Sequence, residues 1–172
     1  MTTHFSALYQ EHLQQKMARF QAILDDSPFD NLIIESGSER LQFQDDMAYP
    51  FKANPYFKEW TPLNKRSGSF LQISRGASKP SLYLLCAEDI WHTARQGLPE
   101  GFGAGLDIHE YESIDEIKAT LLPEQSRSAF IGEDNTLSVP AEHWNPEALL
   151  IAIDFQRQGK TPYEQACIRE AN

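Results

Sequence analysis

The sequence predicts an α/β domain with a mixed β-sheet flanked by helices. Three observations carry that prediction. Short apolar runs of strand length recur between turn residues, namely NLIIES (31–36), GSFLQISR (68–75), PSLYLLCA (80–87), LDIHEYE (106–112) and SAFIGE (128–133). Segments with apolar residues three and four positions apart stand among them, which is the spacing of helices that bury one face. The second and third runs are separated only by the polar residues 76–79 and read as a hairpin, whereas helical segments intervene later. The sheet is therefore mixed, and helices cover it on at least one face.

Taken in order, residues 5–24 place Phe5, Leu8, Tyr9, Leu13, Met17, Phe20, Ile23 and Leu24 at helical spacing. Pro28 in DDSPFD breaks this helix, and NLIIES follows as a buried strand closed by Gly37. LQFQDDM alternates apolar and polar residues and reads as a second strand or an edge segment. After the hairpin, EDIWHTAR (88–95) has helical spacing, and GLPEGFGAG is a flexible connector. Ser113 and Glu116 form a capping-box signature for a helix that Pro123 ends. In NPEALLIAIDFQRQ, Asn145 is the expected N-cap, Pro146 the first helical residue and Gly159 the stop. Thr161, Pro162 and Glu164 repeat the start signals of a helix, followed by apolar spacing at Ala166, Cys167, Ile168 and Ala171. A helix so well announced near the last residue reads either as the opening of a further domain or as a short terminal helix packed on the core.

The chain has 172 residues, 41% hydrophobic and 23% charged, enough to bury a core without staples. Its formal net charge of −10 argues against nucleic acid or an anionic membrane as partner, since both call for clustered Lys and Arg. The N-terminus lacks the basic start and apolar core of a signal peptide, and no apolar run approaches the ~20 residues of a membrane helix. The expectation is a cytoplasmic protein. Cys86 and Cys167 both lie in apolar stretches and read as small buried hydrophobes rather than a disulfide pair.

Chemistry is sparse. The five histidines form no HExxH or HxH pattern, although His4 and His12 lie two turns apart on the first helix. There is no GxSxG elbow, no phosphate-binding GxxxxGK[ST], and GFGAG follows a loop rather than a strand. The conspicuous segment is DDMAYPFKANPYFKEW (45–60), with two prolines, five aromatic residues and the adjacent carboxylates Asp45 and Asp46. Neighbours in an extended segment point to opposite sides, so one carboxylate is expected to cap a turn while at most one faces a site. Asn54 and Pro55 read as cap and first residue of a short helix, following a rigid extended loop. The aromatic area of 45–60 with Trp91 suggests an interface between chains and weak self-association. From the residues alone no reaction follows. A free-standing interaction module and a small hydrolase using Asp46 and His92 stay open beside an enzyme fragment.

SALYQEHLQ near the start, QDDMAYPFKANPYFKEWTPL, KPSLYLLCAEDIWH, and KTPYEQACIREAN at the end together resemble the proteobacterial Xaa-Pro dipeptidases. These are the prolidases, whose near relatives are the organophosphorus acid anhydrolases. The resemblance runs through the whole chain and implies a two-domain subunit. Residues 1–159 would be a creatinase N-terminal-type domain. Residues 160–172 would begin the first helix of a C-terminal pita-bread catalytic domain holding two manganese ions on two Asp, one His and two Glu. None of those ligand motifs is in this sequence, so the resemblance implies neither catalytic nor metal-binding residues here. Its full-length enzymes hydrolyse dipeptides with C-terminal proline, with organophosphate hydrolysis as a side activity. For this chain it implies a homodimer or higher homo-oligomer, with walls contributed to the neighbouring subunit's substrate pocket. Asp46 and Trp91 match pocket positions of the family, and Tyr49 and His92 are added by proximity. Ala48 departs from the larger residue or His that relatives more often carry, which leaves the wall's shape open.

Overall fold

A computed structural model describes residues 3–86, 101–121 and 127–171, with side chains from residue 5 onward. Five strands, β1 (Asn31–Glu35), β2 (Phe70–Ser74), β3 (Ser81–Leu85), β4 (Asp107–Tyr111) and β5 (Ser128–Ile131), form one sheet in the order β4-β3-β2-β1-β5. The β1/β2 and β2/β3 pairs are antiparallel, while β1/β5 and β3/β4 are parallel. The sheet is thus mixed as expected, with the hairpin between β2 and β3.

The interior strand β1 is buried along its whole length, so both faces of the sheet must be covered. Leu32 and Ile34 face a core shared with α1 (Thr3–Asp25), α2 (Pro55–Lys58) and α4 (Glu147–Arg157). Tyr9, Leu13, Met17, Phe20 and Leu24 supply the α1 side of that core at spacings of three and four. Ile33 faces a second core with Phe70, Phe130 and the inner residues Ile117 and Leu121 of α3 (Ile114–Leu121). Residues 143–145 run beside β5, with the Phe130 N–H donating to the His143 carbonyl and the Asn145 N–H to the Phe130 carbonyl. An otherwise open edge is covered there.

The capping boxes form where local sequence places them. The Ser113 hydroxyl accepts from the Glu116 N–H, and Asn54 Oδ1 accepts from the Tyr56 N–H at 3.0 Å. At α5 (Pro162–Ala171) the box is complete: the Thr161 hydroxyl accepts from the Glu164 N–H, and the Glu164 carboxylate accepts from the Thr161 N–H at 2.8 Å.

Four expectations are corrected. Residues 41–47 are not a strand: a single bridge joins Leu41 to Ala48 across a turn with Gln44 at φ 56°. Pro146, not Asn145, occupies the cap position of α4. Asn145 instead exchanges side-chain hydrogen bonds with the backbone of Gly132. Cys167 is half-buried, whereas Cys86 is buried as expected, and the two are not joined in a disulfide. Within GFGAG, residues 103–105 form a 3₁₀ turn seated on α1. A Cβ at Gly105 would lie 2.5 Å from Leu13, so a close approach of backbone to helix dictates that glycine. EDIWHTAR lies outside the described residues, as does Pro123. No helix among the described residues is long and apolar enough to cross a membrane.

Candidate functional site

The 45–60 segment divides in two. From Ala53 onward it belongs to the core: Phe57 and Trp60 are fully buried, and the Tyr9 hydroxyl donates to the Trp60 carbonyl at 2.7 Å. Upstream it belongs to a projecting hairpin, residues 40–49. The Gln42 N–H donates to the Met47 carbonyl and the Tyr49 N–H to the Arg40 carbonyl, both at 2.8 Å. Arg40 at the hairpin base pairs with Asp134 at 3.0 Å and with Glu133 at 3.6 Å. The excursion leaves the sheet at the carboxyl end of β1 and returns there, where the Asn54 N–H donates to the Ser36 carbonyl at 2.8 Å. The aromatic area expected as one surface is therefore half core and half hairpin.

The hairpin presents apolar side chains to solvent. Phe43 is 88% exposed, Leu41 66%, Met47 63% and Tyr49 58%. Leu41, Phe43 and Met47 belong to the alternation that sequence reasoning read as a strand or an edge segment, and they stand largely in solvent. Asp45 and Asp46 are both exposed at the tip. They sit in a bend, not an extended segment, so the opposite-sides expectation fails. The Met47 N–H, and after it the Asp46 side chain, hold the Asp45 carboxyl below its ordinary range. The Met47 N–H donates to Asp45 Oδ1 at 3.2 Å, so Asp45 is the turn cap, while Asp46, exposed beside it, meets the Asp45 carboxyl with its side chain. Asp46 and Tyr49 thus share one hairpin, while Trp91 and His92 lie outside the described residues.

Two buried polar groupings escaped sequence reasoning. Glu35 ends β1 and is 1% exposed. Burial pushes its carboxyl up to about 7, against the partial opposition of the nearby Thr136 and Ser38 hydroxyls and Lys118, and Oε1 has no hydrogen-bond partner. A charged residue closing an all-apolar run was the available signal. The second grouping joins α1 to the end of α2, to α4 and to α5. Lys16, buried on α1, pairs with Glu59, which also pairs with Arg157, and Arg157 lies 4.7 Å over the Tyr56 ring. His12 bridges the Thr161 hydroxyl and the Glu59 carbonyl, each at 2.7 Å. The carbonyl can only accept, so Nε2 carries the proton and Nδ1 accepts from Thr161. Burial lowers the His12 pKa and favours this neutral form, despite the opposing effects of the Glu59 carbonyl and Glu164. With both ring nitrogens engaged, His12 is a structural bridge rather than a metal ligand.

Among the described residues no group of three or more His, Cys, Asp or Glu is arranged to hold a metal ion.

A family model described as the Xaa-Pro dipeptidase N-terminal domain matches residues 7–155. The chain belongs to that family. The Xaa-Pro dipeptidase of Serratia proteamaculans is 36% identical over 171 residues, which are 96% of this chain and 38% of that protein. Xaa-Pro dipeptidase 2 of Idiomarina loihiensis is 33% identical over 169 residues, covering 95% and 38% respectively. The chain therefore spans 38% of the length of these curated relatives. Two structures of Escherichia coli aminopeptidase P variants are similar in fold. One has a TM-score of 0.54 at 17% identity, covering 94% of this chain and 42% of that chain. The other has 0.51 at 16%, covering 87% and 34%. At such identities the likeness concerns the fold, which is that of the creatinase-like N-terminal domains. The Xaa-Pro dipeptidase N-terminal domain is thus a mixed sheet between helices, with the 40–49 hairpin its most exposed apolar feature.

Proposed function

We infer that this chain is the non-catalytic N-terminal domain of a metal-dependent Xaa-Pro dipeptidase. In this reading it forms much of the contact between subunits and walls the neighbouring subunit's substrate pocket. The observation that carries the reading is the hairpin. Leu41, Phe43, Met47 and Tyr49 stand in solvent around Asp46 on a segment anchored at its base, and exposed apolar groups so concentrated mark a contact surface. Asp46 supplies a solvated carboxylate there, suited to the free amino group of a dipeptide. Trp91 is assigned to the same wall by the family resemblance, and His92 is added by its proximity to Trp91 in the sequence. Two manganese ions would be held by a catalytic domain outside this sequence, where they would supply Lewis-acid activation of water and of the scissile carbonyl. Hydrolysis of organophosphates would use the same centre.

The test compares the full-length protein with residues 1–172, each purified with manganese and offered Leu-Pro and Gly-Pro. The full-length protein is expected to turn both over and the shorter chain neither. Turnover by the shorter chain that survives repeated purification would overturn the reading. A reading frame that stops after Asn172 would favour a free-standing interaction module instead.

A further inference from the structure

Helix α4 is apolar on two sides. Of its eleven residues, EALLIAIDFQR, seven are apolar. Leu149 and Ile153 are buried against the core, and Leu150 and Ala152 pack beside them. Ile151 and Phe155, one turn apart, point away from that core and are 63% and 68% exposed. A helix that is apolar all round is one covered from both sides. Helix α3 is the internal contrast: its Ile117 and Leu121 are buried, while Asp115, Glu116 and Thr120 meet solvent.

The arrangement of the helices bears on what covers α4. Both α4 and α5 pack on α1. Arg19 of α1 donates to the Gly159 carbonyl at 2.8 Å, and His12 of α1 meets Thr161. Only residues 158–161 separate the two helices, and α5 is about 15 Å long. Both helices thus sit on the same support, and polypeptide that follows α5 begins only a short stretch of chain from Ile151 and Phe155. The curated relatives are far longer than this chain, which matches 38% of the Serratia protein. The hairpin at the carboxyl end of β1 already offers a separate surface for a second copy.

We propose that the Ile151–Phe155 face of α4 is the seat on which the polypeptide following residue 172 packs within the same subunit. This rests on the two-domain reading above. Its occupant is an apolar surface of the catalytic portion, and Phe155 is its anchor, since a large aromatic side chain contributes most contact per residue.

The test introduces the photo-crosslinking residue p-benzoylphenylalanine at position 155, and separately at 151, in the full-length protein. The expected product migrates at the mass of one subunit, with the crosslink joining either position to a peptide beyond residue 172. In parallel, the thiol of Phe155→Cys is expected to react at least about tenfold more slowly than that of Ser78→Cys in the exposed β2–β3 turn, because labelling must await a local opening. A crosslinked species of two subunits, joining 155 to this same domain of another copy, would overturn the proposal in favour of a homo-oligomeric contact. Absence of any crosslink at both positions with rapid labelling at 155 would overturn it as well. Leu-Pro hydrolysis by the unmodified protein separates the two levels: if hydrolysis is present and the crosslink is wrong, the dipeptidase reading stands and the seat falls.

Discussion

At the scale of single residues, the most informative group is one that no motif announced. Glu35 lies at the end of a strand buried on both faces, with Oε1 unpaired and its carboxyl pushed up to about 7. In the unfolded chain it titrates near 4.5. Below the unfolded value the carboxyl is neutral in both states and costs nothing. As pH rises through the folded value, the native state must hold a buried charge or a proton at unfavourable pH, and stability is lost. The full penalty is roughly 3 kcal/mol above pH 7, at about 1.4 kcal/mol per pKa unit. Glu35→Gln is therefore expected to raise the urea midpoint at pH 8 and to change it little at pH 4. An equal shift at both pH values would show that the substitution acts through packing. The unpaired atom also shows what a sequence does not reveal: Glu35 becomes a buried carboxylate only because Gly132 and Thr136, about a hundred residues away, close over it.

At the scale of elements, α5 is held through its first turn. Thr161 serves two partners, accepting from the Glu164 N–H and donating to His12. Burial would raise the Glu164 carboxyl, but the Thr161 N–H and the charge of Lys16 bring it below its ordinary range. Thr161→Ala removes the cap and leaves His12 without its donor, at a cost of about 1–2 kcal/mol. Amide exchange in α5 is expected to accelerate more than exchange in β1, and Thr161→Ser to restore it. Equal acceleration in both would mean that α5 does not open separately. The same His12 makes this attachment sensitive to acid. Its folded pKa lies below 6.5, so the stability it lends is complete above pH 6.5 and declines as pH falls below that value.

These elements also show which parts of the fold could be read beforehand. The five strands and the caps at Asn54, Ser113 and Thr161 were legible because each depends on residues within a few positions of one another. Asn145 was misread as a cap because its side chain is taken by Gly132, a tertiary partner. The strand reading of residues 41–47 failed, one of the two left open there, because alternation alone does not say whether a facing core exists, and Phe43 is 88% exposed. Of the candidate site, Asp46 emerged from the resemblance and Tyr49 from its proximity, whereas the exposed Phe43 and Met47 beside them needed the structure.

At the scale of the whole molecule, the aromatic segment of the first third performs two jobs. Its second half closes the core between α1 and the sheet, with Trp60 4.9 Å edge-on from Phe20. Trp60→Ala is expected to cost about 3–5 kcal/mol by opening a cavity there. Phe43→Ser, seventeen positions earlier, should stay within about 0.5 kcal/mol of the parent chain in stability, because its ring meets only solvent. Thermal or urea unfolding of the two variants checks the division. A large loss from Phe43→Ser would mean that the hairpin belongs to the core. In the full-length protein the ranking should reverse for assembly: Phe43→Ser is expected to weaken subunit association, read as a lower mass by light scattering on dilution.

The central claim is that this domain acts on a substrate pocket it does not itself contain. The most direct measurement is kcat/KM for Leu-Pro and Gly-Pro, together with bound manganese, in full-length protein carrying Asp46→Ala. The account predicts a changed ratio between the two substrates with metal content and fold intact, since Asp46 stands exposed at the hairpin tip, its side chain meeting the equally exposed Asp45. Unaltered preference for the two dipeptides, or loss of the metal ions, would contradict it.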